Sequence, residues 1–284
     1  MLLIRIPFSS SFPRTILARK LVAPSQTRFR KMHVIPVPVR EDNYAYLLVD
    51  KNAKKAAAID PYDVPKVKAA ADEAGVEIVA AITTHHHFDH SGGNQATAFP
   101  NAPIYGGSKK IPALTDLVKH NDAFCIAETI HVQCIATPCH TQDSICYHVT
   151  SASDPSHPGG VFTGDTLFIA GCGRFFEGTP SEMHSSLSLL SHLPPQTIIY
   201  NGHEYTSSNL AFAKSVDPNN PGVKRLEELV RGNKCTTGLT TIEDEKEWNP
   251  FMRLDDPAIR SATKGSSPNE IMGILRDMKN NFKG

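Results

Sequence analysis

The chemistry of this 284-residue chain concentrates in Thr83-Thr84-His85-His86-His87-Phe88-Asp89-His90. The segment directly follows an apolar run, residues 78–83, that reads as a buried strand, so it lies on the loop at that strand's end. Imidazoles and a carboxylate at alternating positions of a tight loop can point into one cavity. A mixed nitrogen and oxygen donor set suits Zn²⁺ or a neighbouring transition metal. A loop of solvated histidines would need no such H-x-H-x-D-H spacing.

Four donors on one short loop cannot complete two coordination spheres, so further donors are expected downstream. Three candidates follow strand-like runs: His140 in Thr137-Pro138-Cys139-His140-Thr141, Asp165 in Phe162-Thr163-Gly164-Asp165-Thr166, and His203 in Tyr200-Asn201-Gly202-His203-Glu204. A lone His or Asp after a strand is usually a loop or capping residue. Three of them behind H-x-H-x-D-H suggest more.

Together the segments T-H-H-H-F-D-H, T-P-C-H-T, F-T-G-D-T-L-F and G-H-E-Y-T resemble the metallo-β-lactamase superfamily. Within it they are similar to the glyoxalase II family of hydroxyacylglutathione hydrolases. The match extends over essentially everything after Met32, including G-C-G-R-F-F-E-G (171–178) and N-P-F-M-R (249–253). The resemblance implies an α+β fold: an αββα sandwich over residues 32–205, then a small helical C-terminal substrate-binding domain over 206–284. It implies two divalent metal ions per chain, Zn first, with Fe or Mn also suited. His85, His87 and His140 would hold one metal, Asp89, His90 and His203 the other, and Asp165 would bridge. His86 is then the odd one out, a non-ligand pointing back into the protein.

Elementary chemistry agrees with that reading. A water shared by two cations loses its proton near neutral pH and becomes a nucleophile for the thioester carbonyl. A thiol of pKa about 8.5 leaves as thiolate without a dedicated general acid, so no Ser-His-Asp triad is needed. Asp89, besides acting as a ligand, can orient the nucleophile. Cys139, beside His140, is read as a buried bystander thiol, and Glu204 as a structural neighbour of His203.

The metal motif does not name a substrate, because the superfamily also includes lactamases, nucleases and iron oxygenases. Arg276 and Lys279 lie three apart on the last predicted helix and so share a face. The resemblance implies that they hold the glycine carboxylate of glutathione, and that Arg174, Phe176 and Tyr205 line the same site. Two positions depart from the family: Arg174 stands where Lys is more frequent, and Phe176 where Tyr is usual. The implied activity is hydrolysis of S-D-lactoylglutathione to D-lactate and glutathione, the second step of methylglyoxal detoxification. The competing reading is a mononuclear-iron persulfide dioxygenase of the same superfamily, whose relatives are expected to lack the helical C-terminal domain.

The elements that must position these residues can be read from periodicity and breakers. Residues 33–39 and 44–49 form a hairpin around Arg40-Glu41-Asp42-Asn43, and 56–59 a short buried strand ending at Asp60-Pro61. Residues 64–74 are helical and close at Gly75. Further strands are expected at 130–135, 144–150, 161–163 and 197–200, with a helix over 180–193 and a surface loop over 151–160. After Tyr205 the pattern turns helical, with Val223, Leu226, Leu229 and Val230 in step and a stop at Gly232. The last helix starts with Ser267 as N-cap, Pro268 as its first residue and Glu270 completing a capping box. Its buried stripe is Ile271, Ile274, Leu275, Met278 and Phe282.

Composition sets the outer bounds. With 40% apolar residues the chain can bury a substantial core. Lys+Arg and Asp+Glu both number 29, which argues against broad phosphate-backbone binding; no nucleic acid partner is expected. No apolar run approaches the roughly 20 residues of a bilayer span, so no membrane partner is expected either. A small-molecule thioester and a monomeric protein are. The six cysteines show no CxxC pair and read as reduced thiols. Residues 1–31 carry seven Lys and Arg, several serines and no acid, the composition of a mitochondrial transit peptide. A product starting at Met32 would be cytoplasmic.

Overall fold

The computed structural model describes residues 32–95 and 98–284. The basic segment 1–31, and with it the targeting expectation, lies outside the described residues.

The first sheet opens with the expected hairpin of β1 (Met32–Pro38) and β2 (Tyr44–Asp50), and β3 (Lys55–Ile59) adds antiparallel to β2. Helix α1 (Val64–Ala74) then crosses over to β4 (Glu77–Ile82), which runs parallel to β3. Asp63 caps α1 by accepting from the Lys66 amide at 3.2 Å, and Gly75 ends it in the left-handed region at φ 66°. The short helix α2 (Phe88–Ser91) follows, and β5 (Ile104–Gly106) and β6 (Asp116–Leu117) complete six strands.

The second sheet takes β7 (Ala123–Ile126), β8 (Ile130–Ala136), β9 (Ile145–Ser151) and β10 (Gly160–Gly164) as an antiparallel meander. A two-stranded hairpin, β11 (Leu167–Phe168) with β12 (Gly171–Cys172), and helix α3 (Pro180–Ser191) intervene before β13 (Ile198–Asn201) pairs parallel to β10. Five helices end the chain: α4 (Thr206–Val216), α5 (Pro221–Gly232), α6 (Ile242–Trp248), α7 (Pro257–Thr263) and α8 (Pro268–Asn281). No helix among the described residues is long and apolar enough to cross a membrane.

Strand alternation explains the layering. Tyr46, Leu48, Ile59 and Ile82 of the first sheet meet Val132, Tyr147, Phe162 and Tyr200 of the second in one core. Their neighbours Leu47, Val49, Ala56 and Ala58 face the other way and pack under Val67 and Ala71 of α1. The outer side of the second sheet, through Ile135, Val161 and Ile199, packs on Met183 and Leu187 of α3 and on Ile271 and Leu275 of α8. The result is the αββα sandwich, with the C-terminal helices continuing its outer layer.

Two details depart from expectation. Ser267 caps α8 by accepting from the Glu270 amide at 3.3 Å, but the Glu270 carboxylate accepts from the Ser266 amide at 2.8 Å. It reaches one residue past the N-cap, so the box is not reciprocal. Periodicity also leaves β5, β6, β7, β11 and β12 unmarked, because runs of two to four residues are too short to show a clear period. All six cysteines are free.

Candidate active site

Strands β3 and β4 run parallel, and β8, β10 and β13 share one direction through the antiparallel β9. The residues singled out for chemistry all follow the carboxyl ends of such strands, which puts four separate chain segments at one rim of the sandwich. The donor atoms of His85, His87 and His140 lie within 4.8 Å of one another, as do those of Asp89, His90 and His203, and those of His85, His90 and Asp165.

Each ring but one is anchored from behind. Thr84 Oγ1 donates to Asp60 Oδ2 at 2.7 Å and therefore accepts from His85 Nδ1 at 3.0 Å. His90 Nδ1 faces the same Asp60 oxygen at 3.0 Å, and His203 Nδ1 faces Asp42 Oδ1 at 2.9 Å. His140 Nδ1 donates to the Arg174 carbonyl at 3.0 Å. These acceptors place the proton on Nδ1 and turn four Nε2 lone pairs inward. Among the described residues His87 alone has no such partner, and it presents Nδ1.

Inside the cluster acceptors crowd acceptors. His87 Nδ1 is 3.1 Å from both His85 Nε2 and His140 Nε2, and the Nε2 atoms of His90 and His203 are 3.3 Å apart. Asp165 sits between the two groups, with Oδ2 3.4 Å from His140 Nε2 and 3.3 Å from His203 Nε2, and Oδ1 3.4 Å from His90 Nε2. Buried Asp165 Oδ1 makes no hydrogen bond with a described residue. Inward lone pairs and an orphaned carboxylate oxygen repel one another unless cations lie among them. The donor set therefore fits metal ions. Gly202 keeps the space open: a β-carbon there would strike Asp165 Oδ1 and come within 2.9 Å of His90 Cε1.

Electrostatics follow the same division. Burial, reinforced by neighbouring rings, holds His85 well below the usual imidazole range and also lowers His87 and His140. Burial pushes His90 and His203 the same way, but Asp165, together with Asp60 for His90 and with Asp42 for His203, outweighs it, and both are raised. Asp165 is buried as well, yet His203 and His90 hold it well below the usual carboxylate range. Asp89 is held low despite burial by His90 and by Asn43, whose Nδ2 donates to Asp89 Oδ2 at 2.9 Å.

A cavity of about 520 Å³ opens onto His140 and Asp165. Its walls bring together Arg174, Phe176, Tyr205, Arg276 and Lys279. Arg276 Nη1 donates to the Cys172 carbonyl at 2.9 Å, and its buried Nε has no partner among the described residues. Lys279 Nζ donates to the Ser208 carbonyl at 2.8 Å, and burial, then the adjacent Arg276, pulls its ammonium down to about 8. Phe176 is 62% exposed and lays its ring edgewise to His140 at 5.2 Å. The Tyr205 ring stacks on His203 at 4.8 Å. Another cavity, of about 400 Å³, lies between α3 and residues 251–256 and contains none of these groups.

His86 stands apart from the donors, its Nδ1 2.8 Å from Asp143 Oδ1 and its Nε2 3.8 Å from Glu177 Oε1. Cys139 Sγ donates to the Thr179 carbonyl at 3.3 Å, and burial pushes its thiol up to about 12. The Glu204 carboxylate accepts from Tyr44 Oη at 2.9 Å and from the Thr236 amide at 2.7 Å, tying the loop after α5 behind His203. Sequence reasoning missed Asp42, Asn43, Asp60 and Thr84. The first three stand in turns, where Asp and Asn are ordinary turn residues, so nothing local marks them.

Residues 204–282 match the family model described as hydroxyacylglutathione hydrolase C-terminus. The chain is 41% identical over 260 residues to the cytoplasmic hydroxyacylglutathione hydrolase of Arabidopsis thaliana, covering 89% of this chain and 100% of that protein. It is 40% identical to the mitochondrial hydroxyacylglutathione hydrolase of Saccharomyces cerevisiae, covering 89% and 97%. Among solved structures, ETHE1 from Myxococcus xanthus aligns with a TM-score of 0.61 at 26% identity, covering 87% of this chain and 90% of that one. A metallo-β-lactamase from Staphylococcus aureus aligns at 0.59 and 23% identity, covering 87% and 71%, and shares the fold.

Proposed function

The chain belongs to the hydroxyacylglutathione hydrolase family, and from that premise we propose that it hydrolyses S-2-hydroxyacylglutathione thioesters, S-D-lactoylglutathione foremost, to the hydroxy acid and glutathione. The observation that carries this reading is the cavity that joins Arg174, Arg276 and Lys279 to His140 and Asp165. A cationic wall suits the carboxylates of the tripeptide, and the donor cluster at the cavity's end suits hydrolysis of the attached thioester.

In this reading His85, His87 and His140 would hold one divalent ion and Asp89, His90 and His203 a second, with Asp165 available to both; Zn is the first candidate. Bound there, such ions lower the pKa of water and polarise a carbonyl. The protein does the rest. Asp60, Asp42, Thr84 and the Arg174 carbonyl keep the rings in the tautomer that points inward. Asp89, ionised and steadied by Asn43, orients the attacking water. Arg276 and Lys279 bind the tripeptide far from the reacting carbonyl, and the leaving thiolate needs no acid.

The likeness to ETHE1 extends past residue 205, because the first 205 residues are under three quarters of the chain and the alignment covers 87%. The presence of C-terminal helices therefore does not set this chain apart from that protein; their sequence does, through its match to the hydrolase C-terminus. The hydrolase relatives are also more similar, at 41% identity against 26%. We assign residues 32–205 the hydrolytic centre and 206–284 much of the substrate wall.

The test is turnover of S-D-lactoylglutathione by purified protein, with elemental analysis of the same sample. Close to two metals per chain at full activity is expected; full activity with one, or oxygen uptake, removes the binuclear hydrolase. Arg276→Ala and Lys279→Ala should each raise KM about ten- to a hundred-fold, because hydrogen bonds to a charged group are lost, with kcat and metal content less affected. A thioester without the tripeptide should be insensitive to both changes.

A further inference from the structure

The candidate metal residues lie between two cavities that share Tyr205 as a wall. The larger, of about 520 Å³, carries Arg276 and Lys279. The other, of about 450 Å³, is floored by Asp89 and His203 and walled by the turn between β1 and β2. If glutathione occupies the first, a thioester carbonyl at the donor cluster directs its acyl chain towards the second. A three-carbon lactoyl group would leave most of that space empty.

The lining of this second cleft has a definite chemistry. Arg40 lies over the Tyr62 ring, its guanidinium carbon 5.4 Å from the centroid, and it forms no ion pair with any described residue. Its neighbour Glu41 is exposed and likewise unpaired among the described residues. Asp42, half-buried beside them, is engaged with His203 at 2.9 Å. Arg40 and Glu41 thus give the cleft's wall one group that donates hydrogen bonds and one that accepts them, with Tyr205 as its apolar surface. An alkyl chain placed there would strip water from both charges and return nothing. A chain bearing one charge would meet its own sign on one side. Hydroxyl groups both donate and accept, so a row of them can satisfy Arg40 and Glu41 together.

We infer that the cleft walled by Arg40 and Glu41 is an acyl subsite for polyhydroxylated 2-hydroxyacyl groups, longer than lactoyl, on the glutathione thioester; this rests on the hydrolase reading above. The subsite widens the range of substrates and adjoins the tripeptide wall at Tyr205.

The experiment compares kcat/KM of the metal-loaded full chain for three glutathione thioesters: D-lactoyl, 2-hydroxypentanoyl, and tetrahydroxypentanoyl of the same length. Tetrahydroxypentanoyl should exceed 2-hydroxypentanoyl by about ten-fold or more, as expected for hydrogen bonds to charged groups. Arg40→Ala and Glu41→Ala should each bring that ratio towards one, chiefly through KM, and Arg40→Lys should retain part of it. Equal or better turnover of the alkyl chain overturns the inference, as does a ratio that neither substitution moves. Either result, with lactoylglutathione still hydrolysed, leaves the hydrolase reading standing. Failure on all three thioesters removes both.

Discussion

Asp60 sits in the left-handed region at φ 46° immediately after β3, a conformation that Asp tolerates better than most side chains. Its buried carboxylate accepts from the Thr84 amide at 2.7 Å, from Thr84 Oγ1 at 2.7 Å and from His90 Nδ1 at 3.0 Å. One residue thereby orients a ring in each candidate metal group, His90 directly and His85 through Thr84. Asp60→Asn keeps the backbone preference but turns amide hydrogens on groups that already donate. We expect metal affinity to fall roughly ten- to a hundred-fold, with activity recovering at excess metal. Metal titration of the purified variant checks this, and wild-type affinity would reduce Asp60 to a turn residue.

At the scale of elements, two C-terminal helices and the residue that follows the second hold the β11–β12 hairpin that walls the substrate cavity. Asn209 of α4 donates to the Ile169 carbonyl at 3.0 Å, Glu245 of α6 accepts from the Ala170 amide at 2.8 Å, and Asn249 donates to the Gly171 carbonyl at 3.0 Å. Glu245 is fully buried and also accepts from Trp248 Nε1 at 2.8 Å; burial outweighs these donors and pushes its carboxyl up to about 8. The folded carboxyl thus holds its proton more tightly than an exposed glutamate near 4.5. Its contribution to stability is full below that value and is lost as pH rises towards about 8, at no more than about 1.4 kcal/mol per pH unit. Glu245→Gln cannot titrate. The variant should therefore gain stability relative to wild type as pH rises across this window, in denaturant unfolding of metal-loaded protein. A difference that stays constant with pH would show that the carboxyl does not titrate there.

Across the whole molecule, apolar packing spans residue 205. Ile135, Val161, Leu187 and Ile199 precede it, and Phe212, Ile259, Ile271 and Leu275 follow it. A chain cut after Tyr205 would expose this face to water. Such a fragment is expected to bind a hydrophobic dye and to lose cooperative unfolding. Cooperative unfolding of residues 32–205 alone would instead make the helices an appendage. At the other end, residues 1–31 fused to a fluorescent reporter should carry it to mitochondria, and a diffuse signal would leave the segment without a targeting role.

The chain's order alone reveals much of this protein, where the information is local. The alternating donors His85, His87 and Asp89 sit on one loop behind one strand. The end of α1 follows from Gly75, and the start of α8 from Ser267 and Pro268, because caps act within a turn. The family likeness supplied the pairing of Arg276 and Lys279 with the distant loop at 171–178, which periodicity does not give. Folding alone assigns Asp42, Asn43, Asp60 and Arg40 their places. Asp42 meets His203 across 161 residues and Asp60 meets His90 across 30. A carboxylate in a turn has the same local sequence whether it faces water or a histidine. Its role depends on the group opposite, and only the packing of the two sheets and their helices brings that group within hydrogen-bonding distance.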